Sequence, residues 1–258
     1  MPRTCLVTGA ASGIGKATAD LLRKQGHEVI GADLADSDIR ADLSKSDGRA
    51  ELVLRARELS GGRLNAVIAC AGVADFGPLT VRVNHFGAVA TLEGLRPLLA
   101  AGADPRALVI GSVDSVHPTD PAIVDAALAG DEEAAVAAVR AAVDRGEGHL
   151  TYSSSKAAVS RWVRRRAVTA DWAGTGIPLN AVAPGVILTP MTRPLLDDPE
   201  MRALVEQSVP MPLHGHAHPE QVAALAGWLT SPENTHVTGQ VVFMDGGADA
   251  VLRGDRVW

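Results

Sequence analysis

The sequence predicts a doubly wound, parallel α/β fold. Three observations carry that prediction. Short, nearly continuous apolar runs alternate with amphipathic stretches along the 258 residues. A glycine-rich turn joins the first run to the first amphipathic stretch, and an acidic residue closes the second run about twenty positions further on.

The apolar runs at 4–8, 28–33, 66–70, 106–112, 178–183 and 240–245 are each bounded by turn residues, as strands buried on both faces are. A short third strand before Ala41 brings the expected sheet to about seven strands. Between them lie amphipathic segments at 12–25, 46–59, 80–101, 151–173 and 219–230. Strands separated by helices pair in parallel, because a parallel connection needs a crossover, and the crossovers cover both faces of the sheet. One stretch breaks the rhythm. Residues 117–148 are Ala-rich and read as two helices, the first opening at Asp120-Pro121 and ending near Gly130, the second opening at Asp131-Glu132-Glu133 and running to Arg145-Gly146. This helical hairpin is too short and too Ala-rich for a core of its own, so it should pack on the main body. The expected architecture is a Rossmann-like sheet with helices on both faces, one domain over 1–258 with an inserted hairpin at about 117–148.

Composition narrows the function classes. A hydrophobic share of 47% with 21% charged residues describes an ordinary globule rather than a disordered or fibrous chain. The net charge of −6 offers no basic surface for nucleic acid, and the cationic stretch at 161–166 reads as a solvated helix face with some oligomer contacts. No apolar run is long enough to span a membrane. The N-terminal residues enter a strand-like run with no leader pattern, so a cytoplasmic location is expected. Cys5 and Cys70 sit in apolar runs and read as small core residues, not as a disulfide or metal framework.

The first strand leads into Thr8-Gly9-Ala10-Ala11-Ser12-Gly13-Ile14-Gly15 and then a helix. Glycines alone mark any tight turn, but in this setting the backbone amides can approach a pyrophosphate at a helix N-terminus. Gly9, Ser12, Gly13, Ile14 and Gly15 are therefore candidate cofactor-binding residues. Asp33, followed by Leu34, ends the second strand, where a carboxylate accepts hydrogen bonds from an adenosine ribose and repels a 2′-phosphate. With no Arg or Lys in the turn or directly after Asp33, NAD(H) is expected over NADP(H). Asp42 and Leu43 follow the short third strand and could meet the adenine edge. Ala71 and Gly72, after Cys70, end the fourth strand with small side chains at the sheet edge where such folds bind ligands. The chemistry centres on Tyr152-Ser153-Ser154-Ser155-Lys156, which holds the chain's single tyrosine. Helix positions four apart share a face, so phenol and ammonium converge, and Lys⁺ with an oxidised nicotinamide would favour phenolate. Taken alone, a Tyr–Lys pair at this spacing is common on ordinary helices.

Together with Asn84, Ser112 and Pro184-Gly185-Val186-Ile187-Leu188-Thr189, these motifs resemble the short-chain dehydrogenase/reductase family in content and order over essentially the whole chain. The resemblance implies that Tyr152 is the general acid–base and that Lys156 binds the nicotinamide ribose and lowers the Tyr152 pKa. It further implies that Ser112 steadies the substrate oxygen and that Asn84 anchors a water relaying protons to Lys156. Pro184, Gly185, Ile187 and Thr189 would hold the nicotinamide carboxamide. Two departures stand out: Cys70 replaces the family's usual Asn, so a backbone-stabilising contact is missing, and the hairpin lengthens the path from Ser112 to Tyr152. These features, with the ending Asp245-Gly246-Gly247, are similar to the bacterial 3α-hydroxysteroid dehydrogenase/carbonyl reductase subgroup, in which the insertion goes with a homodimer where other members form tetramers.

The expected activity is NAD(H)-linked interconversion of a secondary alcohol and a ketone on an apolar substrate. Two other readings stay open: a coniferyl- or aryl-alcohol dehydrogenase on the same scaffold, and a catalytically silent dinucleotide sensor. His214-Gly215-His216-Ala217-His218 suggests a metal cluster at first sight, but it sits in a Gly/Pro-rich loop with no acidic partner evident, and no metal is expected. The Leu-, Met- and Pro-rich stretch at 191–212 reads as a mobile lid over an apolar pocket.

Overall fold

The computed structural model describes residues 2–255, so the two ends of the 1–258 span expected to form one domain lie outside the described residues. Seven parallel strands form one sheet in the order β3-β2-β1-β4-β5-β6-β7. They are β1 (Thr4–Thr8), β2 (Glu28–Asp33), β3 (Ile39–Arg40), β4 (Ala66–Ala69), β5 (Arg106–Ile110), β6 (Leu179–Pro184) and β7 (Val241–Met244). The order reverses between β1 and β4, and that reversal opens a crevice at the carboxyl edge.

Successive side chains of a strand point to opposite faces, and the core divides accordingly. Leu6, Val67, Ala69, Ala107, Val109, Leu179 and Ala181 face one layer. That layer holds Leu52 of α2 (Ser46–Leu59), Leu92 and Leu95 of α4 (Ala88–Ala100), and Val159 and Trp162 of α7 (Leu150–Arg166). Cys5, Val7, Ile68, Leu108, Ile110 and Val182 face the other, where Ala19 and Leu22 of α1 (Gly13–Lys24) meet Val222, Ala226 and Leu229 of α10 (Pro219–Leu229). Both faces are thus buried, which is why the strands read as continuous apolar runs.

Several element boundaries differ from the sequence expectation. The helix expected over 80–101 begins at Pro78 and is interrupted: α3 (Pro78–Val81) passes into a π-helical turn, Arg82–Gly87, before α4. The helix expected over 151–173 ends at Arg166, and the chain then turns so that Trp172 packs edge-on against Trp162 at 6.2 Å. Residues 191–212 are not a plain loop. They hold α8 (Arg193–Asp197) and α9 (Pro199–Ser208), the latter capped by Asp198, whose Oδ1 accepts from the Glu200 and Met201 amides. A final helix, α11 (Ala248–Arg253), follows β7 and was not expected.

Between β5 and α7 lie α5 (Pro121–Ala129) and α6 (Glu132–Asp144). Asp120 caps α5 through Ala122 N–H at 2.8 Å, Gly130 ends it at φ 77°, and Asp131 caps α6 through Ala134 N–H at 2.9 Å. Ile123, Val124, Ala127, Val136 and Val139 pack with Val81, Phe86, Ala157 and Ala158, so the pair seats on α7 and the π-helical turn. Arg145 bonds the Asp120 carboxylate at 2.8 Å and closes the pair at its base.

Candidate active site

At the carboxyl edge, over the β1/β4 reversal, a cleft with about 300 Å³ of open space runs from the tip of β2 to the N-terminal half of α7. One wall is the turn after β1. Gly9 takes φ 68°, and a Cβ there would stand 3.0 Å from the Ala71 backbone; a Cβ on Gly15 would stand 2.1 Å from the Gly9 carbonyl. Only glycine lets the turn, the end of β4 and the start of α1 come this close. Gly13, at φ 51°, lies against Thr189, joining the turn to the segment after β6.

Asp33 stands at the far end. Its Oδ2 accepts from Ala11 N–H at 3.0 Å and its Oδ1 from Leu34 N–H at 2.7 Å, which holds the carboxylate beside the glycine turn. Opposite Asp33 in the β2–β3 register is the cation Arg40, seven residues further along the chain. Leu34, Asp42 and Leu43 line the same end of the cleft. The Asp42 carboxylate is held below its ordinary pKa chiefly by the Ser44 hydroxyl, which donates to it at 2.6 Å.

The fourth-strand departure has a local remedy. The Thr8 Oγ1 accepts from both the Cys70 and Ala71 amides at 3.1 Å, so a hydroxyl from β1 holds the backbone at the end of β4. Cys70 itself is inert as a nucleophile, since burial pushes its thiol up to about 12, and burial likewise pushes Cys5 up to about 11.

Tyr152, Lys156 and Ser112 meet in the middle of the cleft. The Lys156 ammonium lies 5.7 Å from the centre of the Tyr152 ring and donates to the Ile110 carbonyl at 3.1 Å. Burial lowers the lysine to about 8, against smaller opposing effects from Asp114 and Cys70. The shift towards phenolate expected at Tyr152 involves an oxidised nicotinamide beside Lys156; the protein's own groups act the other way. Burial raises the phenol well above its ordinary value, the Asp114 carboxylate raises it further, and the Ser112 hydroxyl offsets only part. Of the sequence-predicted site residues, all line the cleft except Asn84. Asn84 is buried behind it in the π-helical turn, a distortion often found at functional sites. Its amide clamps the Val73 backbone, accepting from N–H and donating to C=O at 2.9 Å each, and donates to the Ser155 hydroxyl at 3.2 Å. A Cβ on Gly72 would lie 3.3 Å from Asn84 Oδ1 and 3.7 Å from Lys156 Nζ, so the small residue lets the two approach.

Past β6, Pro184, Gly185, Ile187 and Thr189 form the remaining wall. Thr192 knits this segment, donating to the Ile187 carbonyl at 2.5 Å and accepting from Thr189 N–H at 3.0 Å. Leu79, Val83 and Met191 give the mouth an apolar lining. Met191 belongs to the stretch expected to close over an apolar pocket, whereas sequence reasoning missed Leu79, Val83 and also Asp114, although an acid in the first turn after a capping serine was a visible signal. No group of three or more metal-ligating side chains occurs among the described residues. The histidine run does have an acidic neighbour, contrary to the sequence reading: Glu206 of α9 stands 3.8 Å from His216 Nε2. No helix among the described residues is long and apolar enough to cross a membrane.

The glycine cradle, the Asp33 carboxylate and the buried ammonium fit a nicotinamide dinucleotide. The chain matches the family model described as "Enoyl-(Acyl carrier protein) reductase" over residues 9–249. It is 37% identical over 256 residues to the 3-alpha-hydroxysteroid dehydrogenase/carbonyl reductase of Comamonas testosteroni, covering 96% of this chain and 97% of the relative. The crystal structure of the 3-alpha-hydroxysteroid dehydrogenase from Pseudomonas sp. B-0831 complexed with NADH superposes with a TM-score of 0.90 at 39% identity, over 98% of this chain and 99% of that one. A putative NAD(P)-dependent gluconate 5-dehydrogenase from Beutenbergia cavernae with bound NADP superposes at 0.75 and 26% identity, covering 96% and 97% of the two chains.

Proposed function

The chain belongs to the short-chain dehydrogenase/reductase family of oxidoreductases, and on that premise we propose that Tyr152 is the proton-transferring residue of an NAD(H)-linked interconversion of a secondary alcohol and a ketone. The observation that carries this reading is the convergence of Tyr152, Lys156 and Ser112 in one cleft with the glycine turn and Asp33. When bound, the nicotinamide supplies the hydride donor or acceptor. The chain's own work is proton handling and placement. In reduction, the Tyr152 phenol gives its proton to the carbonyl oxygen as that oxygen gains charge; in oxidation, the phenolate takes the hydroxyl proton. Lys156 stabilises the phenolate by its charge, Ser112 fixes the reacting oxygen, and Asn84 clamps the Val73 backbone and would anchor a water relaying protons to Lys156. Pro184, Gly185, Ile187 and Thr189 position the carboxamide end of the cofactor.

The carboxylate of Asp33 at the ribose edge supports NAD(H) over NADP(H), with Arg40 across the register as the group that a 2′-phosphate would seek. An apolar substrate is supported by the Leu79, Val83 and Met191 lining of the mouth and by the 3-alpha-hydroxysteroid activity named for the Comamonas and Pseudomonas relatives. In the same reading the chain works as one dehydrogenase domain with the 117–148 hairpin inserted in it, as a homodimer in the cytoplasm. Tyr152→Phe tests the assignment: turnover of a reactive ketone should fall by about 10²–10⁴ while NADH fluorescence still reports binding near wild-type affinity. Turnover retained in that variant refutes the role of Tyr152. A panel setting a 3-hydroxysteroid against coniferyl alcohol, with both cofactors, tests substrate and cofactor preference together.

A further inference from the structure

Where β6 leaves the sheet, the backbone has to find new partners. Gly185 N–H donates to the Met244 carbonyl at 3.1 Å, the last rung towards β7. The next residue, Val186, is buried, so an unpaired amide there would be costly. Its carbonyl accepts from Ala217 N–H at 3.0 Å, but its own N–H donates to sulfur, the Met211 Sδ at 3.2 Å. That thioether is seated between two glycines. A Cβ on Gly185 would stand 2.9 Å from Met211 Sδ, and a Cβ on Gly246, just after β7, would stand 3.2 Å from Met211 Cβ and Cε. Leu213 N–H donates to the Gly246 carbonyl at 2.9 Å and closes the same joint. Pro184-Gly185, Met211-Pro212 and Asp245-Gly246, far apart in sequence, therefore meet around one side chain. Leu and Met exchange in most cores at little cost, because packing asks only for volume. Here Met does what Leu cannot, since its sulfur accepts a hydrogen bond.

We propose that Met211 is a positioning residue for the cofactor: its thioether holds the Val186 amide and so fixes Ile187 and Thr189 against the nicotinamide end. The inference rests on the reading of Pro184, Gly185, Ile187 and Thr189 as the carboxamide wall, and adds what keeps that wall in place. Beyond Val186 the wall is pinned by Leu188 N–H on the Ala217 carbonyl at 2.8 Å and by the Thr192 hydroxyl on the Ile187 carbonyl at 2.5 Å. Met211 holds the other end, where the chain leaves β6. Gly185 has no Cβ to restrict it, so a Val186 amide without an acceptor can turn towards another partner and carry Ile187 and Thr189 with it. The same contact ties the exit of α9 to the wall. Met211 follows that helix closely, and Val205 and Val209 share one apolar cluster with Val186 and Leu196.

ADP-ribose has the adenosine, the phosphates and the second ribose but no nicotinamide ring, so it reads the cleft without this wall. By isothermal titration calorimetry, Met211→Leu should bind NADH about five- to tenfold more weakly than wild type and bind ADP-ribose equally well. Equal weakening of both ligands makes Met211 a structural residue only, and NADH binding at wild-type strength makes the sulfur idle; either result overturns the proposal. Should Met211→Leu fail to fold, replacement of methionine throughout by norleucine, which trades each sulfur for a methylene of similar shape, decides by the same two titrations. Thr189→Val separates this inference from the wall assignment. Where Thr189→Val weakens NADH selectively and Met211→Leu does not, the role of Met211 falls and the wall stands. Where Thr189→Val binds NADH as tightly as wild type, the wall assignment itself falls and takes the role of Met211 with it.

Discussion

Lys156→Met is expected to make the unliganded protein more stable while removing its activity. The lysine is 5% exposed, and its one protein hydrogen bond is to the Ile110 carbonyl at 3.1 Å. Burial lowers its pKa from 10.5 to about 8, which at ~1.36 kcal/mol per pH unit is about 3 kcal/mol of disfavour for the charged form at pH 7. Methionine has a similar length and fills the same slot without a charge. Losing the hydrogen bond to Ile110 costs about 1 kcal/mol, so a net gain of about 2 kcal/mol remains, or roughly 4–8 °C in Tm for a chain of this size. The sign has a pH signature. Between about pH 8 and 10.5 the folded protein binds fewer protons than the unfolded chain, so wild type gains stability as pH rises through that window. The advantage of Lys156→Met should therefore shrink from pH 7 to pH 10. Thermal melts of the two unliganded proteins at both pH values measure this, with NADH turnover as the companion assay. A variant less stable than wild type at pH 7, or an advantage that does not change with pH, refutes the reasoning.

Other residues give further tests. Asp33→Asn should keep an acceptor for Ala11 N–H while removing the charge at the ribose edge, raising the NADPH/NADH ratio of kcat/KM by about tenfold or more; an unchanged ratio would leave cofactor choice with other groups. Thr8→Val strands the Cys70 and Ala71 amides, at a cost of about 2–4 kcal/mol by denaturant melt together with weaker NADH binding. His85 bonds the Ala127 carbonyl at 2.9 Å, and burial lowers it to about 4, so the unfolded chain binds the extra proton between about pH 6.5 and 4. Stability relative to His85→Gln should fall across that window as pH drops, by up to about 3 kcal/mol, with urea melts at pH 7 and pH 4.5 as the check.

The sheet was legible because both of its faces are covered: an alternation of buried apolar runs and helical periods admits few other architectures. The hairpin was legible for a different reason, its caps. Asp120-Pro121 and Asp131-Glu132 are local signals that do not depend on what the helices pack against. The same signal, Asp198-Pro199, was present before α9 and was passed over because the surrounding Leu, Met and Pro suggested a lid. Periodicity could not show the π-helical turn. One extra residue in a helix leaves the apolar pattern nearly intact while it rotates Asn84 inwards onto Val73 and Ser155. Nor could spacing give the sign of the Tyr152 shift, because the sequence lists the neighbouring lysine but not the depth of burial or the carboxylate across the turn.

The serine run inside the Tyr–Lys motif answers how a long insertion can precede the helix that carries the chemistry without loosening it. Each of the three ties α7 to a different piece of chain. Ser153 donates to the Pro118 carbonyl at 2.6 Å, just after the turn that carries Ser112 and Asp114. Ser154 accepts from Asp120 N–H at 2.9 Å, at the mouth of the hairpin. Ser155 accepts from Asn84 at 3.2 Å on the opposite side. All three serines are buried, so each contact replaces water and a misplaced partner would leave a polar group unsatisfied. The hairpin leaves and re-enters the body between Asp120 and Arg145, and the bond between those two residues closes its base at 2.8 Å. The two inserted helices therefore lie outside the Asp120–Arg145 clasp. Inside it, the distance from Ser112 to Tyr152 is set by Pro118, Ser153 and Ser154, so a longer path in sequence need not mean a looser site in space.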